Sequence, residues 1–247
     1  MEILAIVMLA VFAGAYLVLA GADIGVGMLL PVLGRSHAER RLVIAAIAPF
    51  FLGNEVWLVS AAGIVAGAFP GLEHHLLEEL FPVFVVLLLG WVVRDMGLWL
   101  RGRVDAAAWR SLCDGAIVAG SWALALAWAA LLGSLLAGGG LNAGTVAGLP
   151  LAALFAAHGV ALARWRLTGV LAARAERFPA PYPLTGAALA VVAVLAGTRL
   201  PWSASAADGL GLQVTAVTTV VLLPLLLAAQ ALVWWTFRER VSAPSYL

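Results

Sequence analysis

Glu55 stands in Gly53-Asn54-Glu55-Val56-Trp57, inside an apolar run from 42 to 69. At ~1.5 Å per helical residue it lies ~20 Å beyond Leu42, near the middle of a bilayer. A carboxylate at that depth costs a few kcal/mol, so Glu55 is expected either uncharged or tied to a partner. Beside Asn54 and Trp57 it could relay protons or anchor a polar ligand; the plainer alternative is a hydrogen-bonded lock between helices. Asp23 lies in Gly21-Ala22-Asp23-Ile24-Gly25-Val26-Gly27-Met28, where three glycines thin the helix for a close neighbour. It is either a relay group or an interfacial acid in a packing seam. Arg94-Asp95 comes about six residues before the end of the third apolar run, and Asp114 about five after the start of the fourth. An antiparallel hairpin puts these at equal depth, so an Arg94–Asp114 ion pair is expected, structural first, with proton entry as the sharper alternative. His158 in the fifth run could shuttle protons or ligate a metal or haem; without a second ligand at helical spacing, a hydrogen-bonded structural role is the plainer one. His74/Glu78 and His75/Glu79 resemble metal pairs at i,i+4, but read first as exposed interface charge.

These side chains need elements to hold them, and composition says which. Of 247 residues, 64% are apolar; the 14 basic residues are all Arg, against 13 acidic ones. A soluble domain carries roughly 45–50% apolar and about 25% charged residues. That excludes a soluble enzyme, a disordered chain, a disulfide scaffold and a nucleic-acid binder. Cys113 has no thiol partner and reads as a small buried residue. Apolar runs fall at about 3–33, 42–69, 76–100, 109–137, 145–166, 183–199 and 211–236. The expected fold is an all-α polytopic transmembrane bundle of about seven spanning helices, residues 1–247 forming one domain. The first run is read as a span, not a cleaved signal, because no basic segment precedes it. Arginines collect in alternate loops (Arg35, Arg40, Arg41; Arg101, Arg103, Arg110; Arg174, Arg177; Arg238, Arg240), which predicts the N-terminus outside and the C-terminus cytoplasmic.

Asp23, Arg94, Asp95, Asp114, His158 and Gln230 then all fall in the inner half, with Glu55 deeper. A polar path of that kind suits uptake of protons or ions from the cytoplasm. No cysteine cluster, paired-histidine set, P-loop or dinucleotide fingerprint accompanies it, so redox or hydrolytic chemistry by this chain alone has no visible apparatus.

Gly21-Ala22-Asp23-Ile24-Gly25-Val26-Gly27-Met28-Leu29 resembles the D-G-F-D-[LM]-G-V-G-M-L segment of subunit II of cytochrome bd-type quinol oxidases. Ile47-Ala48-Pro49 with Gly53-Asn54-Glu55-Val56-Trp57-Leu58 is similar to that subunit's I-A-P-x-W-D-G-N-[EQ]-V-W-L. Arg94 with Gly97, Trp109-Arg110 with Asp114, His158-Gly159, Pro224 and Trp234-Trp235 also fit its pattern. Two departures stand out. The family usually has about nine spans, so a helix pair is missing before the sixth run. The family's acid before G-N, implicated in proton delivery, is Leu52 here, and Ala20 replaces the first Asp of the other segment.

The resemblance implies a multi-pass protein of a bacterial or archaeal cell membrane, forming a heterodimer that oxidises quinol and reduces oxygen to water. Subunit I would carry the b- and d-type haems; this chain would bind no cofactor and would serve assembly, oxygen access and proton supply. Asp23, Asn54, Glu55, Trp57 and His158 are then the relay candidates and Arg94 with Asp114 the structural pair. Subunit I, membrane lipid and quinol are the implied partners, and a small accessory subunit is left open. The rival reading is a proton-coupled transporter or permease component, with Glu55 and Asp23 as coupling sites.

Overall fold

The computed structural model describes residues 1–178 and 180–243, and among these every named element is helical. α1 (Glu2–Met28) turns through the short α2 (Leu30–Leu33) into α3 (His37–Ile47), where Ser36 and Glu39 form a capping box. The expected run from 42 to 69 is broken at Ala48-Pro49-Phe50, so α4 covers only Phe51–Ala68. Proline lacks the N–H that a continuous helix would require there. α5 (Pro70–Glu79) leads to α6 (Phe81–Leu100) and α7 (Ala107–Leu136). α8 (Ala143–Ala147), a 3-10 turn at Leu149–Leu151 and α9 (Ala152–Arg166) stack into one membrane-length segment. α10 (Gly169–Ala175), α11 (Tyr182–Gly197), α12 (Trp202–Ser205) and α13 (Gly209–Thr236) complete the order. Among the described residues six segments are long and apolar enough to cross a membrane; α11, the expected sixth span, has 16 residues and falls short of that length.

Glycines set the crossings. A methyl group on Gly25 would run into the Phe155 carbonyl, and one on Gly159 into the Gly25 backbone, so α1 and α9 touch main chain to main chain. Gly90, Gly97 and Gly120 do the same for α6 and α7: a Cβ on Gly120 would lie 2.5 Å from the Arg94 nitrogen, and one on Gly97 2.8 Å from the Cys113 carbonyl. Arg94 is thereby level with Gly120, while Arg101 is level with Asp114.

The arginine-bearing ends are tied by ions. Arg174 clasps Glu39 at 2.8 and 2.9 Å and donates to the Leu33 carbonyl at 2.7 Å. Arg166 donates to the carbonyls of Phe237 and Glu239, and Val241 returns a hydrogen bond to the Arg166 carbonyl at 2.8 Å. The end of α13 is so latched to α9.

Two outcomes are expected. Gly159→Ala should destabilise by roughly 1–3 kcal/mol through forced separation of α1 and α9, whereas Gly63→Ala, which meets nothing, should not; thermal unfolding in detergent compares them. Arg174, with the Arg35 and Ser36 amides, holds the Glu39 carboxyl at about 2, below its ordinary 4.5. A depressed carboxyl stabilises above its unfolded value and loses that contribution as pH falls through the folded one. The midpoint gap between wild type and Glu39→Gln should hold steady above pH 4.5 and close towards pH 2.

Candidate functional site

About two turns from the arginine ends, three helices bring amides and a carboxyl into a single chain of hydrogen bonds. Trp57 Nε1 donates to Gln230 Oε1 at 3.0 Å, Gln230 Nε2 to Asn54 Oδ1 at 3.1 Å, and Asn54 Nδ2 to Asp23 Oδ2 at 2.6 Å. All donors point the same way, so the chain ends on the Asp23 carboxyl. Asn54 is wholly buried, Asp23 and Trp57 almost so. Trp57 is further held against Phe12 with ring centroids 5.4 Å apart. The glycine seam explains the local fold: α1 is buried on every side from Ala20 to Met28, so Asp23 must find its partners among neighbouring helices.

A second set adjoins it through the Asn54–Glu55 peptide. Arg94, 2% exposed, donates through Nη1 to Asp95 Oδ1 at 3.0 Å and Glu55 Oε1 at 3.4 Å, with the Phe51 ring 5.8 Å from its guanidinium carbon. The two carboxyls thus share a single guanidinium nitrogen. Arg94 Nε and Nη2 and Asp23 Oδ1 are buried without a hydrogen-bond partner among the described residues. Two carboxyls on one guanidinium can take up or release a proton without losing the ion pair.

Two expectations are corrected here. Arg94 does not pair with Asp114; Asp114 is held by Arg101 at 2.5 Å, Arg40 at 3.2 Å and His37 at 3.5 Å. With 30 residues against 20, α7 overhangs the end of α6, shifting the hairpin register by nearly two turns. Glu55, four residues past the start of α4, lies only ~6 Å along that helix instead of ~20 Å, because the break at Pro49 resets the count.

His158 stands apart from both sets. Its Nδ1 bonds Thr185 Oγ1 at 2.7 Å and its Nε2 the Val18 carbonyl at 2.8 Å, with the Tyr182 ring tilted against it, centroids 4.4 Å apart. Both nitrogens are engaged, so the ring as placed offers no lone pair to a haem iron. Among the described residues no group of three or more His, Cys, Asp or Glu could hold a metal ion. His74 and His75 pair with Glu78 and Glu79 at 3.4 and 3.2 Å on the exposed α5. Sequence reasoning named Gln230 as an inner polar residue but gave it no role; its signal was a lone amide within the apolar α13.

Asn54 is the junction, accepting from one helix and donating to another. Asn54→Leu should cost roughly 2–4 kcal/mol, since it strips Asp23 of its donor and Gln230 of its acceptor. Gln230→Leu should cost about half as much; equal midpoints for the two variants in thermal unfolding would count against the junction.

Known proteins resemble this chain in sequence. Residues 1–204 match the family described as cytochrome bd terminal oxidase subunit II. The probable cytochrome oxidase subunit 2 of Haemophilus influenzae is 36% identical over 118 residues, covering 48% of this chain and 31% of that protein. The cytochrome bd ubiquinol oxidase subunit 2 of Bacillus subtilis is 36% identical over 115 residues, 47% of this chain and 34% of its own. The cytochrome bd-I ubiquinol oxidase subunit 2 of Escherichia coli K12 is 35% identical over 118 residues, 48% and 31% respectively. Each alignment spans about a third of the relative's length. With the match running from the first residue into α12, across the Asp23 seam and the Asn54–Trp57 block, the chain belongs to the cytochrome bd terminal oxidase subunit II family.

Proposed function

We propose that this chain is the haem-free subunit of a membrane heterodimer that oxidises quinol and reduces oxygen to water, paired with a haem-bearing subunit I. Its arginine-rich ends face the cytoplasm of a bacterial or archaeal cell, by the positive-inside rule. Reduction of oxygen to water consumes a proton for each electron, and this chain's part is to supply protons and oxygen and to support assembly. The observation that carries the reading, beside family membership, is the layer of buried Asp23, Asn54 and Arg94 with half-buried Glu55 and Asp95 near those ends. Glu55 and Asp95 exchange protons against the fixed charge of Arg94, while Asn54, Gln230 and Trp57 position Asp23. His158 belongs to the packing of α9 against α11 and α1.

Leu52, where the family's pattern has an acid, is 46% exposed on α4. Glu55, at the position the family's pattern fills with Glu or Gln, follows it by one turn on the same side, so the carboxyl that remains here lies on that face of the helix. An apolar cavity of about 450 Å3, lined by Leu9, Leu58, Leu131 and Leu132 among others, supports the oxygen-access role. We assign the haems to the partner, a reading supported by the hydrogen bonds that engage both nitrogens of His158.

The complex purified from native membranes through this chain should bring down a membrane partner with b- and d-type bands in a reduced-minus-oxidised spectrum. A colourless lone chain would overturn the oxidase reading. Within the intact complex, Glu55→Gln should slow oxygen reduction by about tenfold or more and shift its pH profile with the spectrum unchanged. Leu52→Asp in that background should recover much of the rate. Unaltered turnover and pH profile in Glu55→Gln would remove the relay role and leave assembly alone.

A further inference from the structure

We propose that the apolar cavity between α1, α4, α7 and α11 holds an acyl chain of a glycerophospholipid whose headgroup carries a primary amine. It does not depend on the oxidase reading, and oxygen dissolves in hydrocarbon, so the two uses of the cavity are compatible. The cavity, of about 450 Å3, reaches the helix ends opposite the arginine-rich ones: Val65, Leu135 and Gly197 line it within three residues of the ends of α4, α7 and α11. Along α1 the lining runs from Ile6 to Leu17, ~16 Å at the helical rise, a depth suited to an extended hydrocarbon chain. Protein interiors are close-packed, so an apolar space of this size within a membrane takes up hydrocarbon in preference to water.

The rim selects the headgroup. α5 joins two membrane-length helices, α4 and α6, and so lies at headgroup level. Its Glu73 and Leu77 line the cavity and also an open depression of about 790 Å3 that continues over His74, Glu78 and Phe81, so the two spaces meet at these side chains. The Glu73 carboxylate has no ion pair or hydrogen bond among the described residues. Glu78 pairs with His74 at 3.4 Å, which cancels its charge only when the imidazole is protonated. Thr198 and Leu200, just past the end of α11, line the cavity too, and the exposed Arg199 between them is likewise without a partner among the described residues. Acceptors for an ammonium thus stand at the same rim as a guanidinium for a phosphate, which matches a zwitterionic head. An anionic lipid would meet two carboxylates against one arginine, and a choline head has no N–H to donate.

The complex purified from native membranes and delipidated tests this in phosphatidylcholine nanodiscs, alone or with phosphatidylethanolamine or phosphatidylglycerol of the same acyl chains, and in detergent with ethanolamine alone. The probes are the thermal midpoint and bound lipid counted by native mass spectrometry. Wild type should retain phosphatidylethanolamine and gain several degrees from it over phosphatidylcholine, with no such gain from phosphatidylglycerol or from ethanolamine. Glu73→Gln should lose most of that gain. Ala62→Leu, at an exposed position on the cavity wall, should narrow the space and shed the bound lipid. Equal midpoints with and without phosphatidylethanolamine, the same gain from phosphatidylglycerol or ethanolamine, or undiminished gain and retention in either variant would overturn the assignment. So would retention of a quinone in place of the phospholipid. Should a variant fail to assemble, the wild-type comparison across the lipids decides.

Discussion

Between helices in hydrocarbon, hiding apolar surface from lipid gains little, so association must come from close packing and from polar groups with no other partner. α1 supplies both at the same level. Gly25 lets α9 lie against its backbone, Gly27 admits Ser121 of α7, and between them Asp23 reaches to Asn54 on α4 and so to Gln230 on α13. A side chain at Gly25 or an apolar residue at Asn54 would therefore disturb several helices at once. The arrangement of α4, α7, α9 and α13 follows from what this one stretch of α1 permits.

The two most buried arginines of the α6–α7 hairpin have different tasks for a geometric reason. Arg94 sits where α6 and α7 are in backbone contact, so its guanidinium can turn only towards α4 and its own Asp95. Arg101 lies just past the helix end, where Asp114 and the α3 backbone are in reach. One positive charge serves an inner carboxyl pair and the other braces the rim.

Much of this was legible in the sequence. Apolar run lengths located the helices, the glycine spacing at 21, 25 and 27 announced the seam, and Asp23, Asn54 and Trp57 come together as their rarity in apolar surroundings suggested. Depth was not legible, because counting residues along a run assumes an unbroken helix, and Pro49 breaks one. The partner of Arg94 was missed for a related reason. Equal distances from two helix ends fix a shared level only if the helices end together, and the start of α7 lies well beyond the level at which α6 ends. The Gln230 bond joins residues far apart in the chain, and periodicity carries no information about such pairing.

The helices are unequal rulers. At 1.5 Å per residue α11 measures ~24 Å and α4 ~27 Å, against ~42 Å for α13 and ~45 Å for α7, around a hydrocarbon layer of ~30 Å. No flat slab matches all four. Either the long helices lean, or the lipid beside α11 thins while that beside α7 swells, and each adjustment costs fractions of a kcal/mol per Å. In the first case the tilt of α7 and α13 is tied to bilayer thickness, in the second the bilayer takes a wedge-shaped collar, and in both membrane thickness becomes a variable to which the packing must respond.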